Sequence, residues 1–307
     1  MKDSTLTLMQ YPGGGVDIND ITEDEPPAAP ESPVAQRGDV WALGDHRLMC
    51  GDALLIDDVV KLLDGSVADC VVTDPPYNMA YEGAGGTLDR AANRIMNDHM
   101  PEEDFQQFIT TAFGNYLLNM QEGATLYCFY KELGSGVFLT AAQAAGLHFR
   151  QELVWVKNQL VLGGAKYQNM YEPCIMASKG KRLSTWNGGR KERSVIESID
   201  LMNEEDLRAA IRELLDEQPT DVLRENKPLK NDLHPTMKPI RLLAKLILNS
   251  TDEGDVVLDL FGGSGSTLIA CQQTGRRACL MELDPRYCDV IIQRWENFTG
   301  QKAVLLN

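Results

Sequence analysis

The sequence predicts an α/β fold built around a mostly parallel sheet. Three observations carry that expectation. Apolar runs of strand length alternate with helical periodicity along most of the chain, the rhythm of strand–helix–strand units. Val256-Val257-Leu258-Asp259-Leu260 is a continuous apolar run, as a strand covered on both faces requires. It leads into Gly262-Gly263-Ser264-Gly265 and then a helical segment, so a tight turn joins strand to helix.

The elements follow in order. Residues 1–38 read as a disordered acidic, proline-rich tail. Glu23-Asp24-Glu25 precedes Pro26-Pro27-Ala28-Ala29-Pro30-Glu31-Ser32-Pro33, too little apolar surface to offset the entropy of ordering. The folded domain is assigned to 39–307. Val40 to Leu43 and Arg47 to Cys50 flank a short turn and read as a hairpin. Residues 54–63 have helical periodicity, and Val67 to Thr73 is a strand stopped by Pro75 and Pro76, which cannot continue a ladder. Residues 78–100 read as a loop, and its glycine-rich part, 83–97, is expected to close over a ligand.

Pro101-Glu102-Glu103-Asp104 opens a helix to about Met120, proline and acids being suited to a first turn. Further strands are expected at 124–129, 151–156 and 171–177, with a helix near 134–145. Residues 178–233 break the rhythm: a basic stretch, an acidic amphipathic helix from Asn203 to Glu217, then polar coil. After His234 a helix covers 239–249, the apolar strand follows, and a helix spans 266–274. A strand at 277–282 and a helix at 285–298 close the domain.

Composition excludes several classes. The 307 residues are 43% hydrophobic and 24% charged, as in globular domains. No apolar run reaches the length of a membrane span, so no membrane partner is expected. Met1-Lys2-Asp3-Ser4 lacks the apolar stretch of a secretory signal. The seven cysteines form no C-x-x-C pair and there are four histidines, so no metal site is expected and the thiols read as reduced and cytoplasmic. A net charge of −16 argues against nucleic acid on average. The charge is uneven, however. Residues 1–38 carry seven acids against two bases, and residues 197–217 eight against two. Lys179, Lys181, Arg182, Arg190, Lys191 and Arg193 face the single acid Glu192 within 179–193. A local basic patch can dominate binding where the sum cannot, so these six are the candidate nucleic-acid-binding residues. An ordinary solvated loop has the same composition.

Two constellations carry chemistry. The first is Asp259-Leu260-Phe261-Gly262-Gly263-Ser264-Gly265-Ser266-Thr267, with Glu282 ending the next strand. Glycines admit a ligand to the backbone and the helix N-terminus offers free N–H groups. A carboxylate on the next strand suits ribose hydroxyls. An adenosine-containing ligand follows. A nicotinamide oxidoreductase is disfavoured because the third glycine position holds Leu268, and no lysine follows to make a P-loop. The second is Asp74-Pro75-Pro76-Tyr77 at a strand's end, where ligands of open α/β sheets bind. The prolines stiffen the turn. Asp74 and the Pro75 carbonyl can accept the two hydrogens of an exocyclic amine, and Tyr77 can stack on a planar ring. His234-Pro235-Thr236-Met237-Lys238-Pro239 precedes the helix before the glycine strand, and Pro239 suits its first turn.

Together, Asp-Pro-Pro-Tyr and Phe-Gly-Gly-Ser-Gly resemble the amino-group DNA methyltransferases. Their order, with His-Pro-Thr-x-Lys-Pro just before the glycines, resembles the permuted β group, and adenine-N6 enzymes of phages and prophages in particular. Gly51-Asp52-Ala53, Tyr171-Glu172-Pro173 and the stretch from Glu282 to Phe298 have counterparts there. The resemblance covers about 39–307. It implies a Rossmann-like S-adenosylmethionine-dependent methyltransferase fold, with 39–307 as catalytic domain and 178–233 as a short target-recognition insert. It implies a bacterial or phage setting, such as a restriction-modification system, and a homodimer. Asp259, Phe261, Gly263, Gly265 and Thr267 would belong to the S-adenosylmethionine site, Glu282 would hold the ribose, and Asp52 the cofactor's adenine amine. Thr236 and Lys238 would hold its carboxylate. Asp74, Pro75, Pro76 and Tyr77 would be catalytic. The length of the glycine-rich loop favours closure over DNA, against a plain disordered loop. Trp155, Lys157, Lys166 and Tyr167 either line the DNA cleft or pack as ordinary strand residues.

The chemistry needs no covalent intermediate and no catalytic cysteine. Acceptance of the amine's hydrogens at Asp74 and Pro75 turns the nitrogen toward sp³ and exposes its lone pair, and positioning does the rest. Aspartate at 74, where cytosine-N4 enzymes more often carry serine, favours adenine. RNA or guanine-N2 substrates are disfavoured by the motif order. A catalytically idle DNA- or partner-binding module would have no need of S-adenosylmethionine.

Overall fold

In the computed structural model, residues 16–78, 99–131, 135–161, 169–202 and 237–306 are described. Ten strands form one sheet in the order β10-β1-β2-β9-β8-β3-β4-β6-β5-β7. They are β1 Val40–Leu43, β2 His46–Cys50, β3 Ala68–Thr73, β4 Met120–Phe129, β5 His148–Val161, β6 Asn169–Ser178, β7 Val195–Glu197, β8 Val256–Asp259, β9 Arg277–Glu282 and β10 Val304–Leu305. The central run β2-β9-β8-β3-β4 is parallel throughout. β1 and β6 run against their neighbours.

The helices are α1 Ile56–Leu63, α2 Glu102–Asn119, α3 Ser135–Ala145, α4 Ile240–Ser250, α5 Ser266–Thr274 and α6 Pro285–Thr299. They cover both faces of the sheet. Along β9, Ala278 and Leu280 pack with α4, α5 and α6, while Cys279 and Met281 pack with α1, α2 and α3. This alternation is the two-residue period of a strand buried on both sides. Local chemistry sets the helix ends. Glu102, Glu103 and Asp104 occupy the first turn of α2, where anions are favoured. Asp284 caps α6 with Pro285 following, and Gly300 ends it at a φ of 72°.

Among the described residues the expected elements are present with their ends moved by a few residues. The strands expected at 151–156 and 171–177 are longer, and form β5 and β6. β7 and β10 were not foreseen. Each is short and takes its register from a partner, β5 for β7 and β1 for β10.

The tail expectation is corrected for residues 16–38. This segment packs on the domain, with one 3-10 turn at Ile18–Asp20. Ile21 and Ala35 are buried in the core formed with α4, α5 and α6. The backbone N–H groups of Val34 and Ala35 donate to the Asp289 carboxylate at 2.6 and 3.0 Å. The segment is held mainly by polar partners, so a low apolar content does not leave it free. Residues 1–15 lie outside the described set, as do the acidic helix expected at 203–217 and the glycine-rich loop 83–97. Among the described residues no helix is long and apolar enough to cross a membrane.

Candidate active site

β3 and β8 are neighbours, but the chain leaves β3 for β4 on one side and β8 for β9 on the other. The crevice beyond the carboxyl ends of two such strands is where open α/β sheets bind ligands. Asp74-Pro75-Pro76-Tyr77 leaves β3 at this edge and the glycine turn leaves β8 beside it.

A buried polar knot joins the two. Asp259 accepts from Thr73 Oγ1 at 2.9 Å, from the Phe261 N–H at 3.1 Å and from Thr267 Oγ1 at 2.8 Å. Tyr116 on α2 donates to Thr73 Oγ1 and accepts from the Leu260 N–H. Burial pushes the Asp259 carboxyl up to about 7, against the hydrogen bonds it accepts. Asp259 and Thr267 are buried and engaged with each other, so they shape the loop from beneath.

Gly263 and Gly265 both have positive φ, 52° and 87°, as their turn requires. They differ in surroundings. A side chain at Gly265 would meet Ile291 of α6 at 3.1 Å, whereas at Gly263 it would enter open space. Gly265 therefore serves helix packing, and Gly263 presents bare backbone outward. Glu282 closes the other side. Its carboxylate accepts from the Gly263 N–H at 2.8 Å and from the Asp284 N–H at 2.9 Å. Burial pushes it up to about 7. The Glu282 carbonyl accepts from the Gly51 N–H at 3.1 Å, which brings Asp52 to the same rim. One Asp52 oxygen accepts from the Leu54 N–H at 2.9 Å and shapes the turn into α1. Phe261 lies 5.9 Å from the ring of Phe108.

At Asp74 the structure adds partners that the motif alone does not reveal. Lys238 Nζ lies 2.5 Å from Asp74 Oδ2 and 3.0 Å from Glu172 Oε2. Glu172 Oε1 in turn meets Lys157 Nζ at 2.5 Å. The Lys238–Glu172 contact is an ion pair at the centre of this chain of charges. Lys238 is 5% exposed. Burial opposes its charge, but Asp74 and Glu172 outweigh that and hold its pKa above the usual lysine value. Burial raises the Asp74 carboxyl despite Lys238. For Glu172, burial works upward but Lys238 and Lys157 prevail and keep it low. The other Asp74 oxygen accepts from the Tyr77 hydroxyl, and Lys238 sits 5.7 Å from the Tyr77 ring and 5.1 Å from that of Phe129. Pro75 is buried, and Pro76 and Tyr77 are partly exposed. Asn78 adopts a positive φ of 58° and exchanges two hydrogen bonds with the Met100 backbone, at 2.9 and 2.6 Å.

The structure places the other expected residues as follows. Lys238, expected at a cofactor carboxylate, has its ammonium between Asp74 and Glu172. Thr236 lies outside the described residues. Glu172 had no role in the sequence reading beyond its place in Tyr-Glu-Pro. Trp155 is buried and donates to Ser198 Oγ, the ordinary packing alternative, and Lys166 and Tyr167 fall outside the described residues.

The basic stretch begins away from the Asp74 turn. β6 runs antiparallel to β4, pairing Cys174 with Phe129 and Ser178 with Thr125. The chain beyond Ser178 therefore emerges at the edge opposite Asp74. There the Gly123 N–H donates to the Lys179 carbonyl and the Asn187 N–H to Asn249 at the end of α4. Lys179 Nζ is engaged by the Met120 carbonyl at 2.8 Å, and Arg193 pairs with Asp200 at 2.7 Å. Lys181, Arg182, Arg190 and Lys191 are exposed. The direction of β6, which composition does not encode, carries Lys179, Lys181 and Arg182 away from Asp74, whereas Arg193 precedes β7, whose Ile196 aligns through Trp155 with Glu172.

Comparison with known proteins agrees with this architecture. The type II methyltransferase M.HpaI of Haemophilus parainfluenzae is 24% identical over 271 residues, covering 85% of this chain and 77% of that protein. The DNA adenine methyltransferase YhdJ of Escherichia coli K12 is 24% identical over 263 residues, 80% of each chain. Among solved structures, the M1.HpyAVI–SAM complex superposes with a TM-score of 0.54 at 20% identity, covering 80% of this chain and 97% of that one. The cytosine-N4-specific PvuII DNA methyltransferase gives 0.56 at 14% identity, covering 91% and 94%. These likenesses identify the Rossmann-like methyltransferase fold. The sequence also matches the N6/N4 DNA methylase family over residues 68–294, so the chain is a member of that family of DNA methylases.

Proposed function

We propose that this chain transfers a methyl group from S-adenosylmethionine to the exocyclic N6 amine of adenine in DNA, as a β-group enzyme. The observation that carries this reading is the junction of two motifs. The Asp74 turn and the glycine turn leave adjacent strands at one sheet edge and are tied through Thr73, Asp259 and Thr267.

Two features of the chain test its fit to the cofactor. Gly263 offers bare backbone to open space, and the Glu282 carboxylate stands beside it at the end of the next strand. Both suit a ribose-bearing ligand. Glu282 would accept the ribose hydroxyls, Gly263 and Phe261 would flank the ligand, and Asp52 would meet its adenine. When bound, S-adenosylmethionine supplies an electrophilic methyl on a sulfonium centre.

The remaining work falls to the chain's own residues. A base must leave its stack to reach this crevice, at a cost of a few kcal/mol (about 2–4). Tyr77 stands beside Asp74 and can stack on that base, returning about 1–3 kcal/mol. To do so its hydroxyl gives up Asp74 Oδ1, and the amine takes that acceptor. The Pro75 carbonyl takes the second hydrogen. Lys238 holds Asp74 Oδ2 throughout, so the carboxylate keeps its orientation while one oxygen changes partner. The proton shed by the methylated nitrogen passes to Asp74 Oδ1. Aspartate at position 74 and the adenine specificity in the name of YhdJ favour adenine over cytosine.

The test is mass spectrometry of nucleosides from unmethylated duplex DNA incubated with the chain and S-adenosylmethionine. N6-methyladenine is expected. N4-methylcytosine would keep the chemistry and overturn the base, and no methylated base would contradict the reading.

A further inference from the structure

We propose that Ile21–Asp24 is a strap that positions both halves of the site, with Glu23 and Asp24 as positioning residues; the inference rests on the functional reading above for the identity of the ligand. Composition marks this segment as tail, yet its contacts converge on the two site-forming elements.

Ile21 is buried, and its carbonyl accepts from Arg241 Nε at 2.7 Å. Thr22 and the Gln273 side chain of α5 exchange hydrogen bonds at 2.8 and 2.9 Å. The Glu23 carboxylate accepts from the N–H groups of Ile240 and Arg241, at 2.8 and 2.9 Å. These are first-turn donors of α4, with no partner inside the helix, and a carboxylate there is favoured by the helix dipole. α4 begins two residues after Lys238, so Glu23 fixes the element that carries the Asp74 partner.

Asp24 acts on the other half. Both its oxygens engage Arg294 Nε, at 3.1 and 3.0 Å, and it also meets Arg294 Nη2. Arg294 is 1% exposed. Its remaining nitrogen, Nη1, donates to the Ser264 carbonyl at 2.9 Å, to Ser264 Oγ at 3.3 Å and to Ser266 Oγ at 3.2 Å. One guanidinium thus joins the strap to the backbone of the glycine turn. Without Asp24 the guanidinium would be a buried cation lacking its counter-ion, and the turn would lose its fixed donor. Two consecutive acids therefore set the spacing between the Lys238–Asp74 side and the Gly263 side.

The full chain and its Asp24→Asn, Glu23→Gln and Glu31→Gln variants test this. Glu31 is an exposed acid of the same segment and serves as control. Amide hydrogen exchange is read without cofactor, and S-adenosylmethionine affinity is measured by calorimetry at a temperature where near-ultraviolet circular dichroism shows each variant folded. In Asp24→Asn, exchange across 262–266 should rise by about tenfold while β8 stays protected, and the Kd should rise by about tenfold. Glu23→Gln should speed exchange at 240–243, with a smaller change in Kd, and Glu31→Gln should change neither. A merely structural role would raise exchange evenly and leave the affinity of the folded protein unmoved. Even exchange, or a Kd within about twofold of the parent, overturns the proposal. Should Asp24→Asn fail to fold, Glu23→Gln decides alone, since it leaves the Arg294 pair intact. Failure of the parent chain to bind S-adenosylmethionine would count against the functional reading, and the exchange data would still decide the strap.

Discussion

Two groups of charges at opposite edges of the sheet are built differently. At the carboxyl edge, Asp74, Lys238, Glu172 and Lys157 form a chain of alternating sign, with Lys238 almost fully buried. At the other edge, cations satisfy backbone carbonyls. Lys179 donates to Met120, and Arg276 donates to the Thr251 carbonyl at 2.8 Å. A buried charge bonded to main chain completes a fold, because the carbonyl needs a donor and the cation needs acceptors. A buried cation set between carboxylates instead holds reactive groups in a fixed geometry. The densest run of basic residues in the sequence begins at the first kind of edge, and the proposed methyl-transfer site lies at the second.

Removing the carboxylate proposed to accept the target amine should have the largest effect. Asp74→Ala should lower the rate of methyl transfer by about 10²–10⁴-fold, with S-adenosylmethionine affinity little changed because Lys238 retains Glu172. Single-turnover kinetics beside calorimetry reads both. Glu172→Gln sharpens the comparison one contact further out. It leaves Lys157 and Lys238 without their shared anion, and urea unfolding should show a loss of about 3 kcal/mol. The rate should fall while cofactor affinity holds, and an unchanged rate would detach Glu172 from the site.

The basic loop offers a way to break the comparison. Neutralising Lys181, Arg182, Arg190 and Lys191 together should change the slope of log affinity for DNA against log salt by less than about 1, whereas four phosphate contacts would remove about 3–4. The larger change would return DNA to the opposite edge.

Two pH effects are smaller. Burial raises Glu282 to about 7, and hydroxyl donors favour its ionised form. Cofactor affinity should therefore rise as pH climbs from 6 to 8, with proton release, and Glu282→Gln should flatten that profile. His46 lies at the opposite edge, and its Nδ1 accepts from the Ala278 N–H at 2.9 Å. Burial holds its pKa below 6.5, against Gln272 and Asp45. The unfolded chain then binds a proton that the folded one resists, so this contribution is complete above pH 6.5 and is lost as pH falls through the lower folded value. Unfolding free energies at pH 7.5 and 5.5 should differ less in His46→Gln than in the parent.

Local signals carried most of the fold and half of the site. The proline stop after Thr73 and the glycine turn after Asp259 are short-range chemistry, so the two motifs were legible where they stand. Lys238 lies 164 residues from Asp74, and nothing near it in sequence distinguishes an anion-binding lysine from one clamped between carboxylates. The strap was misread because composition counts apolar residues, whereas Glu23, Asp24 and Ala35 are held by the ends and sides of helices far along the chain. The basic stretch was legible as charge, but its edge depends on the antiparallel direction of β6. Short strands such as β10 carry too little pattern of their own.

The most direct measurement is a crystal structure of the chain with a non-reactive S-adenosylmethionine analogue and duplex DNA containing its target. The account predicts the analogue between Gly263 and Glu282, an extruded adenine against Tyr77 with its amine on Asp74 Oδ1, and residues 181–191 clear of the duplex. DNA seated on the basic loop, or a target base away from Asp74, would contradict it.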